Sequence, residues 1–226
     1  MSNVVSYQTE KNTAIITLDD GKANAVSHVL LEELNEALDK AENDKKLVVL
    51  TGRPGKFSAG FDLSIMQESQ QAAMKLVKEG AILSQRLLQF PTPVTIACTG
   101  HGLAMGGLLL LSVDYRIGIE GPFKIGLNEV AIGMTMPYFG VELGRGRLSP
   151  AYFGRAVNNA EILTPESATD AGFLDRLVPA DSLLESALAV SEQLASLNMS
   201  AHHATKIRTR KPMLDAIAAG IEREFG

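Results

Sequence analysis

The run Leu47-Val48-Val49-Leu50-Thr51-Gly52 is apolar without alternation and is closed by a glycine. That is the pattern of a strand buried on both faces, which belongs to parallel sheets covered by helices. The neighbouring segments agree. Val4 to Leu18 carries β-branched residues in partial alternation and reads as a hairpin, turned onward by Asp19-Asp20-Gly21-Lys22. Ser27 can cap a helix from His28 to Asn43, where Leu30, Leu31, Leu34, Ala37, Leu38 and Ala41 recur at helical spacing.

The cycle then repeats. A loop at 53–63 leads to a long helix at about 67–89, broken by Pro91 and Pro93, and to an apolar strand Val94–Cys98. A glycine turn, a helix at about Gly106–Ser112, a strand Tyr115–Ile119 and a strand-like piece Phe123–Ile125 follow. Strand–turn–helix units in series predict an α/β fold with parallel strands. From Asp181 to Phe225 the chain reads as helices with breaks at Asn198 and Pro212. Such a tail either covers a site or neighbouring subunit, or closes the same domain.

Composition narrows the class. A chain of 226 residues, 46% hydrophobic, holds one well-packed domain, and a net charge of −5 argues against nucleic-acid binding. The basic cluster Lys206-Ile207-Arg208-Thr209-Arg210-Lys211 is the exception, either a solvated helix face or a phosphate contact. The one cysteine, Cys98, lies in an apolar strand and reads as a buried structural thiol in a reducing compartment. Met1-Ser2-Asn3 opens no basic-then-apolar leader, and the longest apolar run, Leu108 to Leu111, is too short for a bilayer. A soluble cytoplasmic protein with no membrane partner is expected.

Glu129 is the residue most suited to chemistry. It is a lone carboxyl in the apolar run Ile125-Gly126-Leu127-Asn128-Glu129-Val130-Ala131-Ile132-Gly133, and burial there raises its pKa toward the range of a useful proton carrier. Two small-residue turns lie upstream, Phe57-Ser58-Ala59-Gly60-Phe61-Asp62-Leu63 and Gly102-Leu103-Ala104-Met105-Gly106-Gly107. Turns of this kind leave backbone N–H groups uncovered, and the second opens a helix whose N-terminus favours negative charge. A base and N–H donors are the minimum equipment for moving a proton beside a carbonyl.

These motifs, together with Gly21-Lys22-Ala23-Asn24-Ala25, Leu163-Thr164-Pro165-Glu166-Ser167-Ala168 and Ala171 through Pro179, resemble the crotonase (enoyl-CoA hydratase/isomerase) superfamily over roughly residues 4–200. The resemblance implies a ββα spiral core over residues 1–178 and a C-terminal helical trimerisation or lid region over 179–226. It also implies trimers, often paired into hexamers, and an acyl-CoA substrate, with coenzyme A part of the substrate and no separate cofactor. By position, the oxyanion donors would be the N–H groups of Phe61 and Met105, although the family usually has glycine at the second place. Lys22, Ala23 and Asn24, with Ser58, Ala59, Gly60, Asp62 and Leu63, would line the CoA groove largely through backbone atoms. Gly106, Leu108 and Tyr138 fall on the substrate side.

Hydratases of this superfamily use two glutamates. Glu129 matches the second, whereas the position of the first holds Leu108. A one-acid site resembles the Δ3,Δ2-enoyl-CoA isomerases, in which a single base moves a proton from C2 to C4 of a 3-enoyl thioester in fatty-acid or related acyl-CoA metabolism. The alternatives are a hydratase or lyase that recruits another acid, Glu142 among the candidates, and a catalytically silent acyl-CoA-binding subunit. Other residues take quieter roles: His101 as pocket lining or structure, Asp62 as support for its loop, Tyr138 and Phe139 as acyl pocket or core. His28, His202 and His203 have no partners at metal-ligand spacing, so no metal site is expected.

Overall fold

In the computed structural model, which describes residues 3–226, the run at 47–52 is a central strand buried along its whole length. Met1 and Ser2, on which the expectation of no leader rests, lie outside the described residues. In chain order the elements begin β1 (Val5–Glu10), β2 (Thr13–Leu18), β3 (Ala25–Val26), α1 (His28–Asn43), β4 (Leu47–Gly52), β5 (Gly55–Ser58) and β6 (Gly60–Phe61). There follow α2 (Leu63–Glu68), α3 (Gln70–Gln89), β7 (Val94–Cys98), β8 (Gly100–Leu103), α4 (Met105–Leu111), β9 (Tyr115–Ile119) and β10 (Ile125–Gly126). The chain ends with α5 (Tyr138–Arg147), α6 (Pro150–Val157), α7 (Pro165–Ala171), β11 (Arg176–Val178), α8 (Leu183–Ala195) and α9 (Met199–Phe225).

The main sheet runs β1-β2-β4-β7-β9-β11, parallel except for the β1–β2 hairpin. Strand periodicity divides β4 between two cores. Val48 and Leu50 join the large core under α1 and α3, while Val49 joins Ala97 and Ile117 beneath Leu183, Ala187 and Val190 of α8. The first part of the tail therefore covers the second face of the sheet. A smaller parallel sheet, β10-β8-β5, and the short β3–β6 pair stand at the carboxyl ends of the strands.

The hairpin, the Ser27-capped helix and the strands at 47–52, 94–98 and 115–119 form where the sequence predicts them. Five expectations need correction. The stretch 53–63 is not a plain loop but carries β5 and β6. The fully buried Asn24, in left-handed backbone at φ 53°, ties β5 down: its side-chain amide donates to the carbonyls of Leu18 (2.9 Å), Lys56 (3.2 Å) and Phe57 (3.1 Å), while β6 pairs with β3. The helix expected at 67–89 is interrupted at Ser69, whose extended backbone (φ −164°) and hydroxyl cap α3. The strand-like piece at 123–125 pairs only at Ile125–Gly126.

The tail breaks at Asn198, which caps α9, but not at Pro212, which sits inside it. Side chains on both sides of the proline hold the helix together. Lys206 and Arg210 clamp Asp114 (2.7 and 2.8 Å) before it, and Leu214 and Ile217 are buried after it. The basic cluster is thus neither a solvated face nor free for phosphate at these two positions. Lys206 also donates to Phe90 O (2.8 Å) and Thr92 O (3.1 Å), using all three ammonium protons. Among the cluster's other cations, Lys211 pairs with Asp215 at 2.8 Å and Arg208 is exposed.

Among the described residues, no helix is long and apolar enough to cross a membrane, and no group of three or more His, Cys, Asp and Glu could hold a metal ion. Lys206→Met leaves Asp114 and two buried carbonyls short of a donor. It should lower unfolding free energy by about 3 kcal/mol in urea titrations, the cost of breaking a buried pair from one side. An unchanged midpoint would refute the clamp.

Candidate active site

The first turn is held from behind by backbone and by side chains already in use. Ser58 Oγ donates to Asn24 O (2.8 Å) and accepts from Gly60 N (3.3 Å), while Ala59 N donates to Ala23 O (3.0 Å). Asp62 N donates to Val26 O at 3.0 Å. In a parallel ladder the preceding residue turns its N–H to the other side, so the N–H of Phe61 faces away from β3.

The second turn is sharper. Ala104 has φ 48° and ψ −121°, a backbone region that non-glycine residues rarely occupy. Its N–H donates to Gly126 O and its carbonyl accepts from Leu108 N, both at 3.0 Å. Met105 is then the first residue of α4, where the N–H has no preceding turn to accept it.

The two turns touch. A Cβ added to Gly60 (φ 98°) would come 2.7 Å from Ala104 Cβ and 3.4 Å from Met105 N. One added to Gly106 would strike the Ser58 carbonyl. The methionine that replaces the family's usual glycine does not cover its own N–H. Its side chain is buried and its Cε reaches α3 at Gly80, where the ring of Phe61 also rests.

Glu129 follows β10 on a segment packed against α4, for a Cβ on Gly107 would lie 2.8 Å from Gly126 O and 3.1 Å from Leu127 Cδ2. Its backbone opens a short 3-10 turn, and its carbonyl accepts from Met134 N at 2.9 Å. Only 5% of the residue is exposed, and Oε2 has no hydrogen-bond partner. Burial pushes its pKa up to about 7, opposed in part by its own N–H. Leu108 is fully buried on α4, and Gly140 of α5 gives it room: a Cβ there would sit 3.4 and 3.5 Å from its methyl carbons and 2.6 Å from Met136 Sδ.

The remaining residues singled out in the sequence divide by what they touch. Lys22 is exposed on its turn, and its carbonyl accepts from Arg53 at 3.1 Å. Ala59 and Leu63 are exposed, while the side chains of Asn24 and Ser58 are buried in the turn's scaffold. Asp62 supports its loop as anticipated, capping α2 through Ser64 N (2.8 Å); the Ser64 hydroxyl holds its carboxyl below the ordinary range. Tyr138 starts α5, with its N–H on Glu224 (3.1 Å) and Arg223 over its ring, and Phe139 is core. Glu142 pairs with Arg145 at 3.4 Å and faces a cleft of about 490 Å³ shared with Thr209 and Arg210 of α9. His101 accepts from Lys124 N (2.9 Å) and meets Phe123 edge-on; burial, then Lys124 and Lys56, lowers its pKa. The Cys98 thiol is buried and pushed up to about 12.

Sequence reasoning passed over Ala104 and Gly80. Nothing in the sequence marks an alanine for left-handed backbone, whereas a glycine in the middle of an apolar helical stripe is itself a signal.

Two adjoining turns that leave backbone N–H groups uncovered, and a buried carboxyl raised toward neutrality on a segment packed against the helix that the second turn opens, define a class of chemistry. Such a site can draw a proton from the carbon next to a carbonyl while the carbonyl oxygen gathers charge. The enoyl-CoA hydratase/isomerase family profile matches residues 8–225, and the chain belongs to that family, within the crotonase superfamily. An enoyl-CoA hydratase/isomerase family protein from Pseudomonas syringae shares the fold with a TM-score of 0.96 at 50% identity, over 97% of this chain and 96% of that one. An enoyl-CoA hydratase from Mycobacterium marinum does so with a TM-score of 0.93 at 40% identity, over 99% of this chain and all (100%) of that one. Human mitochondrial enoyl-CoA delta isomerase 1 is 32% identical over 206 residues, covering 88% of this chain and 67% of the relative.

Because the raised pKa of Glu129 lies above the ordinary value of 4.5, the folded protein holds a proton that the unfolded chain releases between pH 4.5 and about 7. Stability therefore falls as pH rises through that window. Glu129→Gln removes the penalty. The variant should match the wild type near pH 4.5 and exceed it by roughly 3 kcal/mol above pH 7, measured by urea unfolding across pH.

Proposed function

We propose that the protein is an enoyl-CoA isomerase that converts a 3-enoyl-CoA into a 2-enoyl-CoA, with Glu129 as the proton shuttle. The observation that carries this reading is the combination of a buried Glu129, whose Oε2 has no partner, with an apolar, fully buried Leu108 where a hydratase needs its other acid. Hydration requires one group to activate water and another to manage the second proton. A double-bond shift requires only one.

The thioester oxygen accepts from the N–H groups of Phe61 and Met105. Ionised Glu129 removes a proton from C2, and the electrons spread into a dienolate whose charge those donors hold. The same carboxyl returns the proton at C4, leaving the double bond between C2 and C3. Each N–H donor contributes about 3–4 kcal/mol to the transition state where its geometry is right. The CoA moiety lies along 22–24 and 58–63 and meets backbone there, since Asn24 and Ser58 have committed their side chains to the scaffold. Leu108 and Gly106 wall the reacting carbons, Tyr138 borders the acyl pocket, and the assembly is a homotrimer or a pair of trimers.

Turnover of 3-enoyl-CoA, followed through the absorbance of the conjugated thioester, tests this. Glu129→Gln should lower kcat by about 1,000-fold, in the middle of the range for a lost general base. Wild-type kcat/KM should rise with pH through a midpoint near 7, because the base must be ionised to accept a proton. Efficient hydration of 2-enoyl-CoA without isomerisation would overturn the proposal.

A further inference from the structure

We infer that Gly80, in the middle of α3, is a positioning residue for both oxyanion donors; this rests on the roles proposed for Phe61 and Met105. Gly80 lies in the buried stripe of α3 with Leu76, Val77, Ala81, Leu83, Ser84, Leu87 and Leu88. Glycine inside a helix costs about 1 kcal/mol relative to alanine, so its presence there calls for a packing reason. The reason is specific. A Cβ at Gly80 would lie 2.6 and 2.7 Å from Cζ and Cε1 of Phe61 and 3.3 Å from Cε of Met105.

The two residues come from different turns, yet both rest their side chains on one bare patch of helix. Those are the residues whose N–H groups are left free. Their side chains both end on α3, so the surface of α3 at Gly80 sets the depth of both turns together. A methyl group there would shift one or the other by about 1 Å to restore ordinary carbon–carbon contact.

The helix does not give. Leu76, Leu83 and Leu87 are fully or almost fully buried, Lys78 Nζ donates to Phe225 O (3.0 Å), and Arg86 Nη1 donates to Asn35 Oδ1 (2.8 Å). The Met105 thioether is flexible and yields cheaply. The Phe61 ring is rigid and hangs from a strand of only two residues, so its displacement passes to the peptide that carries the N–H. A misplacement of about 1 Å at a reacting geometry can cost up to about 100-fold in rate.

Gly80→Ala tests the inference, with Gly154→Ala in α6 as the control, since a Cβ at Gly154 meets nothing within 4 Å. Gly80→Ala should reduce kcat on 3-enoyl-CoA by about 10- to 100-fold, with KM changed less than about 3-fold. Thermal stability should hold or rise, because alanine is the better helix former. The red shift of a bound 2-enoyl thioester, which reports carbonyl polarisation by the N–H donors, should shrink in parallel. Adding Phe61→Leu, which removes Cζ and Cε1, should recover most of both signals.

Wild-type kcat and an undiminished red shift in Gly80→Ala would overturn the inference. So would a loss that follows melting temperature and does not respond to Phe61→Leu. If Gly80→Ala alone fails to act while the wild type isomerises and Glu129→Gln does not, only the role of Gly80 falls. A wild type that neither turns over nor polarises the thioester removes the oxyanion reading and this one with it.

Discussion

Glycine backbone seats the turns at 58–61 and 104–107 against each other, and the candidate site depends on that contact. Gly106 admits the Ser58 carbonyl, Gly60 admits Ala104, and Gly100 lies on Gly55 at the start of the same two strands. Each glycine solves a steric problem that any Cβ would reopen. The parallel sheet supplies the frame, because β4 and β7 deliver these turns side by side at their carboxyl ends. Ala104 bears the remaining strain. Backbone of that kind costs on the order of 1–3 kcal/mol, and here it is held by hydrogen bonds to Gly126 and Leu108.

Two buried charged side chains give opposite readings of the same fact. Lys206 and Glu129 are each 5% exposed, and burial works against the charged form of both. Every proton of Lys206 has an acceptor, so the residue fastens α9 to the strand ends at Phe90, Thr92 and Asp114. One oxygen of Glu129 has none. A satisfied buried charge is structure. An unsatisfied one, which weakens the fold at neutral pH, marks a candidate for proton transfer.

What could be read from the sequence follows the range of the forces involved. The β4 run and the α1 stripe are legible because burial on one or two faces writes a period into the chain. The breaks at Ser27 and Asn198 are local as well, each a side chain bonded to a nearby N–H. β5 and β6 carry no period, since β5 is pulled into place by Asn24 from across the chain and β6 by pairing with β3. Pro212 and Lys206 misled for a related reason. Local rules break a helix at proline and send lysine to water, but packing of α9 on α3 and α5 overrides both. The candidate acid, the glycine turns and Leu108 were visible as residue types at family positions; the floor at Gly80 was not, because it joins three segments.

The apolar character of α4 bears on how Glu129 works. Every residue from Met105 to Leu111 is buried, so a carboxyl at position 108 would enter a core already closed to water. Two acids facing one substrate would also couple, and ionising one would raise the pKa of the other. With Leu108 in that place, the proton affinity of Glu129 is set by burial and one backbone N–H. A pKa near neutrality suits the proposed shuttle, which must accept a proton from carbon and give it back without a large penalty in either direction. In that proposal, charge that develops on the substrate is met by peptide N–H groups, which have no protonation state to change. In the proposed reaction the backbone would hold the anion, and one carboxyl would carry the proton.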